Sequence, residues 1–302
     1  MSGDALGWLD AVRDGVARAG RPAGAFARYV SVRSITGSTN DDVARAALEG
    51  APEGYTVIAA GQSSGRGRRG ADWHSPVAHG VYLSTLLRPD RWSAIRTDAA
   101  SAAASLVTLM AGVAVVSAVR DVCGGAPVEL KWPNDVMVRT PAAAGDGAAG
   151  PPWRKLAGIL AEGASDHGAL RSVVLGIGVN VRTPDAPPAV AARMISLDAL
   201  VSPGAAEGAT LVPSLVAGLL LRIREGVDLL AGGALGEVRA RWRGHAPSVE
   251  GTAVRWREQG RTRAGLADGI DAHGALRIRG DDGAATTVHG GEVEWLIEAE
   301  RA

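Results

Sequence analysis

The chain has 302 residues, 46% of them apolar and 21% charged, so it can fold into one large domain and a small one. Its 32 basic residues equal its 32 acidic residues, which excludes a net field that would draw it to nucleic acid or to a membrane. The single cysteine, Cys123, excludes an internal disulfide framework. The first residues carry acidic side chains and no apolar h-region, so no signal peptide is visible, and the single cysteine suits the reducing cytoplasm in which we expect the protein.

The first half of the sequence alternates predicted helices and strands. Apolar residues recur at helical spacing over 4–19, and the polar run 37–42 offers N-cap side chains to a helix that ends near residue 49. The segment 98–122 is rich in Ala and Ser, which favours a buried helix over a membrane span. Strands are predicted at 29–35, 55–60 and 81–87.

The second half of the sequence is richer in predicted strands. These lie at 128–131, 135–138, 153–162 and 172–180, with the last two paired. Residues 140–152 are nearly all Ala, Gly and Pro and predict a flexible hairpin loop, 184–208 is irregular, and 214–231 is helical. Short strands at 252–256, 262–268, 275–279 and 286–288 predict a small β-barrel, so we divide the chain into domains 1–245 and 246–302.

Three arginines alternate with glycines in the sequence Gly-Arg-Gly-Arg-Arg-Gly at 65–70. Glycine lets the backbone approach a ligand, and the guanidinium groups of Arg66, Arg68 and Arg69 suit carboxylate or phosphate oxygens. The pattern also satisfies the G-x-G-x-x-G dinucleotide fingerprint, but a proline and a glycine soon follow and break the helix which that fingerprint needs. We therefore exclude a Rossmann site. Taken alone, the loop is an anion site, a solvated basic turn or a nucleic-acid patch.

Three further segments place polar groups at or near predicted strands. Residues 131–135 group a lysine, an amide and a carboxylate around a proline. In residues 155–162 a lysine enters an otherwise apolar strand, which is costly unless the lysine meets an anion. Residues 176–180 place glycines on one strand face and leave room for a flat ligand. Each segment alone has an ordinary structural explanation, but together they indicate a ligand site.

These motifs, in this order, resemble the biotin–protein ligase family of the biotin/lipoate ligase superfamily. The matching segments are GSTN at 37–40, GQSSGRGRRG at 61–70, KWPNDV at 131–136, KLAGILAE at 155–162 and GIGVNV at 176–181. The C-terminal runs GLADGIDAHGAL and GGEVEWL are similar to the small SH3-like domain of that family. The resemblance implies an α+β fold. It would comprise a mixed, largely antiparallel central sheet flanked by helices, class II synthetase-like, in a catalytic domain, and a C-terminal SH3-like β-barrel.

The resemblance also implies an activity and its partners. The carboxylate of biotin would attack ATP in the presence of Mg²⁺ to give biotinyl-5′-AMP, and a lysine of a biotin carboxyl-carrier domain would then take the biotinyl group. The carriers would belong to acyl-CoA or pyruvate carboxylases. No nucleic acid or membrane partner is expected, and the chain would be a monomer or a weak homodimer.

The roles of individual residues follow from the resemblance. The catalytic cations would be Lys155, Arg66 and Arg68. Biotin would contact Ser38, Thr39, Asn40, Gln62, Arg66, Gly67, Arg68, Lys155, Gly158, Gly176 and Gly178. ATP would contact Arg68, Arg69, Trp73, Lys131, Asn134, Lys155 and Asn180. Asp135 would either orient Lys155 or bind Mg²⁺.

Two departures from the family pattern and three alternatives accompany this interpretation. Ala71 stands where the family commonly has another arginine, which would loosen retention of the adenylate. About 36 residues precede GSTN, too few for a winged helix-turn-helix, so we expect no repressor function. The alternatives are a lipoate or octanoate ligase, a non-catalytic biotin- or nucleotide-binding module and a DNA-binding repressor; the neutral charge disfavours the last.

Overall fold

A seven-stranded sheet forms the centre of the structure, a computed structural model that describes residues 3–92, 103–139, 153–167, 169–201, 208–258, 260–280, 283–291 and 293–296. Its strands are β1 Val30–Thr36, β2 Thr56–Gln62, β3 Gly80–Leu87, β4 Val128–Lys131, β5 Asp135–Arg139, β6 Trp153–Asp166 and β7 Ala169–Asn180. They are arranged in the order β1-β2-β3-β7-β6-β5-β4. β1 pairs with β2 in parallel and the other neighbours are antiparallel, which confirms the predicted mixed sheet.

Helices cover the two faces of this sheet unequally. They are α1 Gly3–Ala19, α2 Ala25–Arg28, α3 Thr39–Leu48, α4 Val107–Cys123, α5 Pro188–Ala191, α6 Gly208–Ala231 and α7 Leu235–Gly244. Helix α6 packs against α1 and α4, and α4 contacts β4 to β7. The opposite face receives α3, which contacts β2, β3 and β7. On this face α3 does not cover β5 and β6, and a cleft lies over them.

Side-chain alternation along β7 explains the two faces. Leu175 and Ile177 belong to the main hydrophobic core under the long helices, whereas Val174 belongs to a small cluster under α3. Because successive residues of a strand point to opposite faces, Gly176 and Gly178 lie on the α3 side. The two glycines thus remove side chains from the less covered face.

The C-terminal residues form a second sheet that packs against the first part of the chain. Its strands are β8 Glu250–Glu258, β9 Arg261–Ile270, β10 Leu276–Gly280, β11 Ala285–Val288 and β12 Val293–Leu296. All neighbours in the order β11-β10-β9-β8-β12 are antiparallel. The indole Nε1 of buried Trp132 donates to the carbonyl of Gly274 at 2.9 Å, and Val254 and Ile278 extend the main core. The small β domain is confirmed, while the boundary at residue 245 stays a prediction.

Several predicted elements differ from those observed. The sequence analysis missed α7, in which Val238 and Trp242 are the buried residues, and it missed β12. It began the 214–231 helix too late, because Pro213 lies inside α6, and it overlooked the short α5. The start of the 98–122 helix and the 140–152 loop lie outside the described residues. Within the described ranges, no helix has the length and apolarity needed to cross a bilayer.

His245, between α7 and the second sheet, is expected to make stability depend on pH. Its Nδ1 accepts a hydrogen bond from Nη1 of Arg120 at 3.0 Å. Burial and then the charge of Arg120 lower the pKa of His245 below its ordinary 6.5. The folded state therefore binds fewer protons than the unfolded state below about pH 6.5, so the free energy of unfolding should fall as the pH drops through that region.

Urea unfolding of the wild type and of His245→Gln, each at about pH 7.5 and about pH 5, measures this dependence. The substitution removes the titrating group, so the decline in stability on acidification should become shallower. An identical decline in both proteins would assign the acid sensitivity to other groups.

Candidate active site

A cleft of about 1290 Å³ lies on the α3 face of the central sheet. Its floor is formed by Gly158 of β6 and by Gly176 and Gly178 of β7, which we call the glycine floor. Gly158 and Gly178 are directly paired across the two strands. A flat ligand could therefore approach the backbone here, because no Cβ intervenes.

A group of buried amides and hydroxyls closes one end of the cleft. We call Ser38, Thr39, Asn40 and Gln62 the amide pocket. The backbone N–H of Thr39 donates to Oε1 of Gln62 at 2.9 Å. The hydroxyl of Ser84 on β3 lies 2.6 Å from Oδ1 of Asn40 and 2.7 Å from Oγ1 of Thr39. The pocket is thus rigid and rich in both donors and acceptors.

Residues 65–73, which we call the arginine loop, form a short hairpin at the side of the cleft. Its stem is closed by the hydrogen bond from the N–H of Trp73 to the carbonyl of Gly65 at 2.9 Å. Its tip is closed by the bond from the N–H of Gly67 to the carbonyl of Ala71 at 2.6 Å. A Cβ on Gly65 would come within 2.6 Å of the carbonyl oxygen of Trp73, so this close crossing requires glycine.

The arginines of this loop differ in their partners. The guanidinium of Arg66 forms a fork with Asp41, at 2.7 Å to Oδ1 and 2.9 Å to Oδ2, and lies 3.4 Å from Oε2 of Glu162. Its hydrogen bond to Asp41 raises the pKa of Arg66. Two carboxylates therefore already neutralise this cation, and its geometry favours an anchoring role over the catalytic role that the sequence predicts.

Arg68 has the opposite environment. It is half-buried, and the hydrogen bond described for it runs from Nη1 to Oδ1 of Asn134 at 3.4 Å. Burial and then the neighbouring charge of Arg69 lower the pKa of Arg68, although it remains a cation at neutral pH. It forms no ion pair with any carboxylate in the part of the chain that the structure describes. The charge of Asp135 offsets this only in part, and an anionic ligand would supply a direct countercharge.

A β-bulge turns Lys155 toward the cleft. Asp135 pairs with Gly158 and Met137 with Lys155, so one extra residue of β6 lies between these pairs. Directly paired residues share a sheet face, and the bulge therefore brings Lys155 and Asp135 to the same side. The Nζ atom of Lys155 lies 2.6 Å from Oδ1 of Asp135 and 5.1 Å from the centre of the Trp73 ring. Of the two roles predicted for Asp135, the structure shows the contact needed to orient Lys155.

The indole of Trp73 lies over the glycine floor. A Cβ on Gly178 would come within 2.5 Å of its Nε1, and a Cβ on Gly158 within 2.9 Å of the ring. The buried Nε1 has no hydrogen-bond partner among the residues that the structure describes. Trp73 thus occupies the place where the sequence analysis expected a flat ligand, and stacking on a nucleotide stays a prediction.

The cleft brings together all predicted site residues except one. Asn180 is absent from its lining; its Nδ2 donates instead to the carbonyls of Lys155 at 3.2 Å and Ile195 at 3.3 Å. Sequence reasoning missed Asp41, Glu162 and Ser84, whose positions relative to the site depend on the fold. It also assigned no role at the site to other cleft-lining residues, among them Asp72, Tyr82, Arg193, Arg255, Trp256, Arg257 and Thr262, and Gly290, Gly291, Val293, Glu294 and Trp295 of the GGEVEWL run. The glycine-rich run at 290–295 was the available signal for some of these.

Comparisons with known proteins agree with this geometry. Residues 33–180 match the Biotin/lipoate A/B protein ligase family, and residues 250–295 match the Biotin protein ligase C terminal domain. The biotin--[acetyl-CoA-carboxylase] ligase of Paracoccus denitrificans is 30% identical over 265 residues, which cover 82% of this chain and 93% of that protein. The chain belongs to the biotin–protein ligase family. It is a ligase, and it attaches biotin in an ATP-dependent reaction.

Two further proteins extend the comparison. The bifunctional ligase/repressor BirA of Bacillus subtilis is 28% identical over 85% of this chain and 71% of its own length. The structure of the Aquifex aeolicus biotin protein ligase in complex with biotin and ATP superposes with a TM-score of 0.67 at 22% identity, covering 89% of this chain and 99% of that one. This structural likeness shows that the fold is shared.

Asn180→Ala should loosen the backbone that presents Lys155. The change removes a donor from two carbonyls, so we expect the free energy of unfolding to fall by about 1–3 kcal/mol, with kcat reduced more than the KM for ATP is raised. Denaturant unfolding and steady-state kinetics of this ligase measure both effects. Unchanged stability with a large rise in the KM for ATP would support the nucleotide contact predicted from sequence.

Proposed function

We propose that the chain biotinylates a lysine of a biotin carboxyl-carrier domain in two steps within this cleft. In the first, a carboxylate oxygen of biotin bonds to the α-phosphorus of ATP while the bond to the β-phosphate oxygen breaks, which gives biotinyl-5′-AMP and pyrophosphate. In the second, the neutral amine of the carrier lysine attacks the acyl carbon. The amide forms, AMP leaves, and the amine loses a proton to solvent.

The observation that carries this proposal is the pair of cations beside the glycine floor. The first step joins two anions, and negative charge develops on the α-phosphoryl oxygens in the transition state. Arg68 is half-buried without a carboxylate of its own in the described ranges, and Lys155 is held on the same side of the cleft by Asp135 and the bulge. Cations that are fixed before the reaction stabilise the developing charge without a further free-energy cost of reorganising the site.

The amide pocket supports biotin as the acid that is activated. The ureido ring of biotin carries two N–H donors and one carbonyl acceptor, and a mostly buried group of Ser, Thr, Asn and Gln side chains can match both kinds of atom. Ser38, Thr39 and Asn40 are each at most 5% exposed, so a ring seated against them is desolvated. A hydrophobic ring without those atoms would leave buried polar groups unpaired.

The chemistry of Asp135 fits a role beside Mg²⁺. Its Oδ1 is buried and is contacted by Lys155, but a carboxylate offers about four lone-pair sites on its two oxygens, so acceptor capacity is left beside this ion pair. The described residues contain no group of three His, Cys, Asp or Glu side chains that could hold a metal alone. Mg²⁺ is commonly held by one or two carboxylates, water and substrate phosphates. Bound in that way, the ion would screen the phosphate charge.

Release of pyrophosphate from Mg-ATP tests the proposal. Release should require biotin and should be at least about 100-fold slower with lipoate, because lipoate lacks the ureido atoms that the amide pocket pairs. Addition of a purified carrier domain should yield one amide-linked biotin per domain, detected by mass spectrometry. Equal turnover with lipoate would assign the chain to lipoate attachment instead.

A further inference from the structure

Glu162 connects two parts of the site that the proposed reaction treats separately. Its Oε2 accepts a hydrogen bond from Nδ2 of Asn40 in the amide pocket at 2.6 Å. The same oxygen lies 3.4 Å from Nη2 of Arg66 in the arginine loop. Glu162 is 43% exposed and has no place in the chemistry derived above. Its two contacts nevertheless link the buried pocket to the loop.

The contact to Asn40 fixes which way that amide points. An ionised carboxylate only accepts hydrogen bonds, so Nδ2 of Asn40 must face Glu162. The hydroxyl of Ser84 then donates to Oδ1 of Asn40 on the other side, at 2.6 Å. Asn40 is 5% exposed, and reversal of its amide would place the buried Oδ1 against the acceptor oxygen of Glu162. Glu162 therefore determines which atom of Asn40 a ligand meets.

The contact to Arg66 holds the first strand of the hairpin that forms the arginine loop. Exposed ion pairs are individually weak, but Arg66 pairs with both Asp41 and Glu162, and Glu162 is also bonded to buried Asn40, so the contacts form a network. The second strand, which ends at Trp73, is held through Gln62, whose Nε2 donates to Oγ of Ser75 at 3.0 Å. Ser75 in turn donates to the carbonyl of Trp73 at 2.8 Å. The two strands of this hairpin are thus linked to the amide pocket. One is linked through Glu162 to Asn40, and the other through Ser75 to Gln62.

We propose that Glu162 is a positioning residue that orients Asn40 for the biotin ring and anchors the arginine loop through Arg66. The inference deepens the proposed function, since it assumes that the amide pocket receives biotin. It also assigns Arg66 to the loop rather than to the substrate phosphate.

Two substitutions at Glu162 separate the two contacts. Glu162→Ala removes both, so the KM for biotin should rise about tenfold and the loop should open more often. Glu162→Gln keeps an acceptor for Asn40 but removes the charge that holds Arg66. It should free the loop while raising the KM for biotin less than the alanine variant does. Glu49→Gln, at an exposed position after α3, is the matched control and should change neither quantity.

Loop opening is measured on the full chain without ligands, as the rate of tryptic cleavage after Arg68 and Arg69. We expect cleavage to be about three- to fivefold faster in Glu162→Gln than in the wild type, because the loss of one surface ion pair shifts the opening equilibrium by about that factor. Circular dichroism confirms that each variant is folded. Because no ligand is present, the cleavage experiment tests the Arg66 anchor independently of the reaction. If the wild type failed to release pyrophosphate with biotin, that result would refute the proposed function and leave the anchor to be judged by cleavage.

A double-mutant cycle between Arg66→Gln and Glu162→Gln completes the test. If Glu162 anchors the loop through Arg66, adding Glu162→Gln to Arg66→Gln should change the cleavage rate little further. Additive effects, or a Glu162→Ala protein with wild-type cleavage and wild-type KM for biotin, would overturn the proposal.

Discussion

Lys155→Ala should lower kcat/KM for biotin-dependent pyrophosphate release by about 100- to 1000-fold, the usual effect of removing one preorganised charge that stabilises a transition state. The side chain is 32% exposed and lies along Gly158 rather than in the core, so the fold should survive its loss. The substitution also leaves the Asp135 carboxylate without its cation beside the cleft, which adds repulsion toward both anionic substrates. Initial rates at saturating ATP and a thermal unfolding curve measure the two consequences.

Asp135→Asn distinguishes the two roles predicted for that carboxylate. If Asp135 acts by orienting Lys155, adding Asp135→Asn to Lys155→Ala should cost little further activity, because the residue to be oriented is gone. If Asp135 contacts Mg²⁺, the double variant should lose activity additively and need more Mg²⁺ for half-maximal rate. A Lys155→Ala enzyme with near-normal kcat/KM would remove Lys155 from the catalytic step altogether.

The fold was predictable wherever one strong local pattern decides an element. Helix α1 and strands β3 and β4 were found within one or two residues, because apolar spacing and turn residues mark their ends. Helix α7 was missed because only Val238 and Trp242 of its ten residues are buried, too few to establish a period. The bulge in β6 was also missed: it depends on the pairing with β5, and a single strand carries no sign of it.

The site was predictable as a set of residues but not as a set of contacts. Each motif is local, so its lysine, arginines and glycines could be named from the sequence. The carboxylates that pair with Arg66 lie 25 and 96 residues away along the chain, and no local pattern links them to it. For this reason the sequence analysis treated Arg66 and Arg68 alike. The fold pairs Arg66 directly with carboxylates, whereas Arg68 has no direct ion pair with a carboxylate among the described residues. The contribution of the C-terminal sheet to the cleft depends on domain packing in the same way.

Gly176→Ala should damage biotin binding more than any other single added methyl group on the glycine floor. A Cβ on Gly176 would overlap with Oδ1 of Asn40. Asn40 cannot easily move away, because Ser84 and Glu162 hold both ends of its amide. We expect the KM for biotin to rise by about 30-fold or more, with a loss of about 1–3 kcal/mol in the free energy of unfolding from overpacking.

Gly178→Ala provides the comparison that tests this reasoning. The added Cβ would meet the indole of Trp73, which belongs to the arginine loop and can shift without breaking a hydrogen bond of its Nε1. Its effect on the KM for biotin should therefore be the smaller of the two. Gly7→Ala, in open space on α1, is the control for glycine replacement and should raise stability slightly. If the KM for biotin rose more in Gly178→Ala than in Gly176→Ala, Trp73 rather than Asn40 would be the side chain that cannot shift to accommodate an added methyl group.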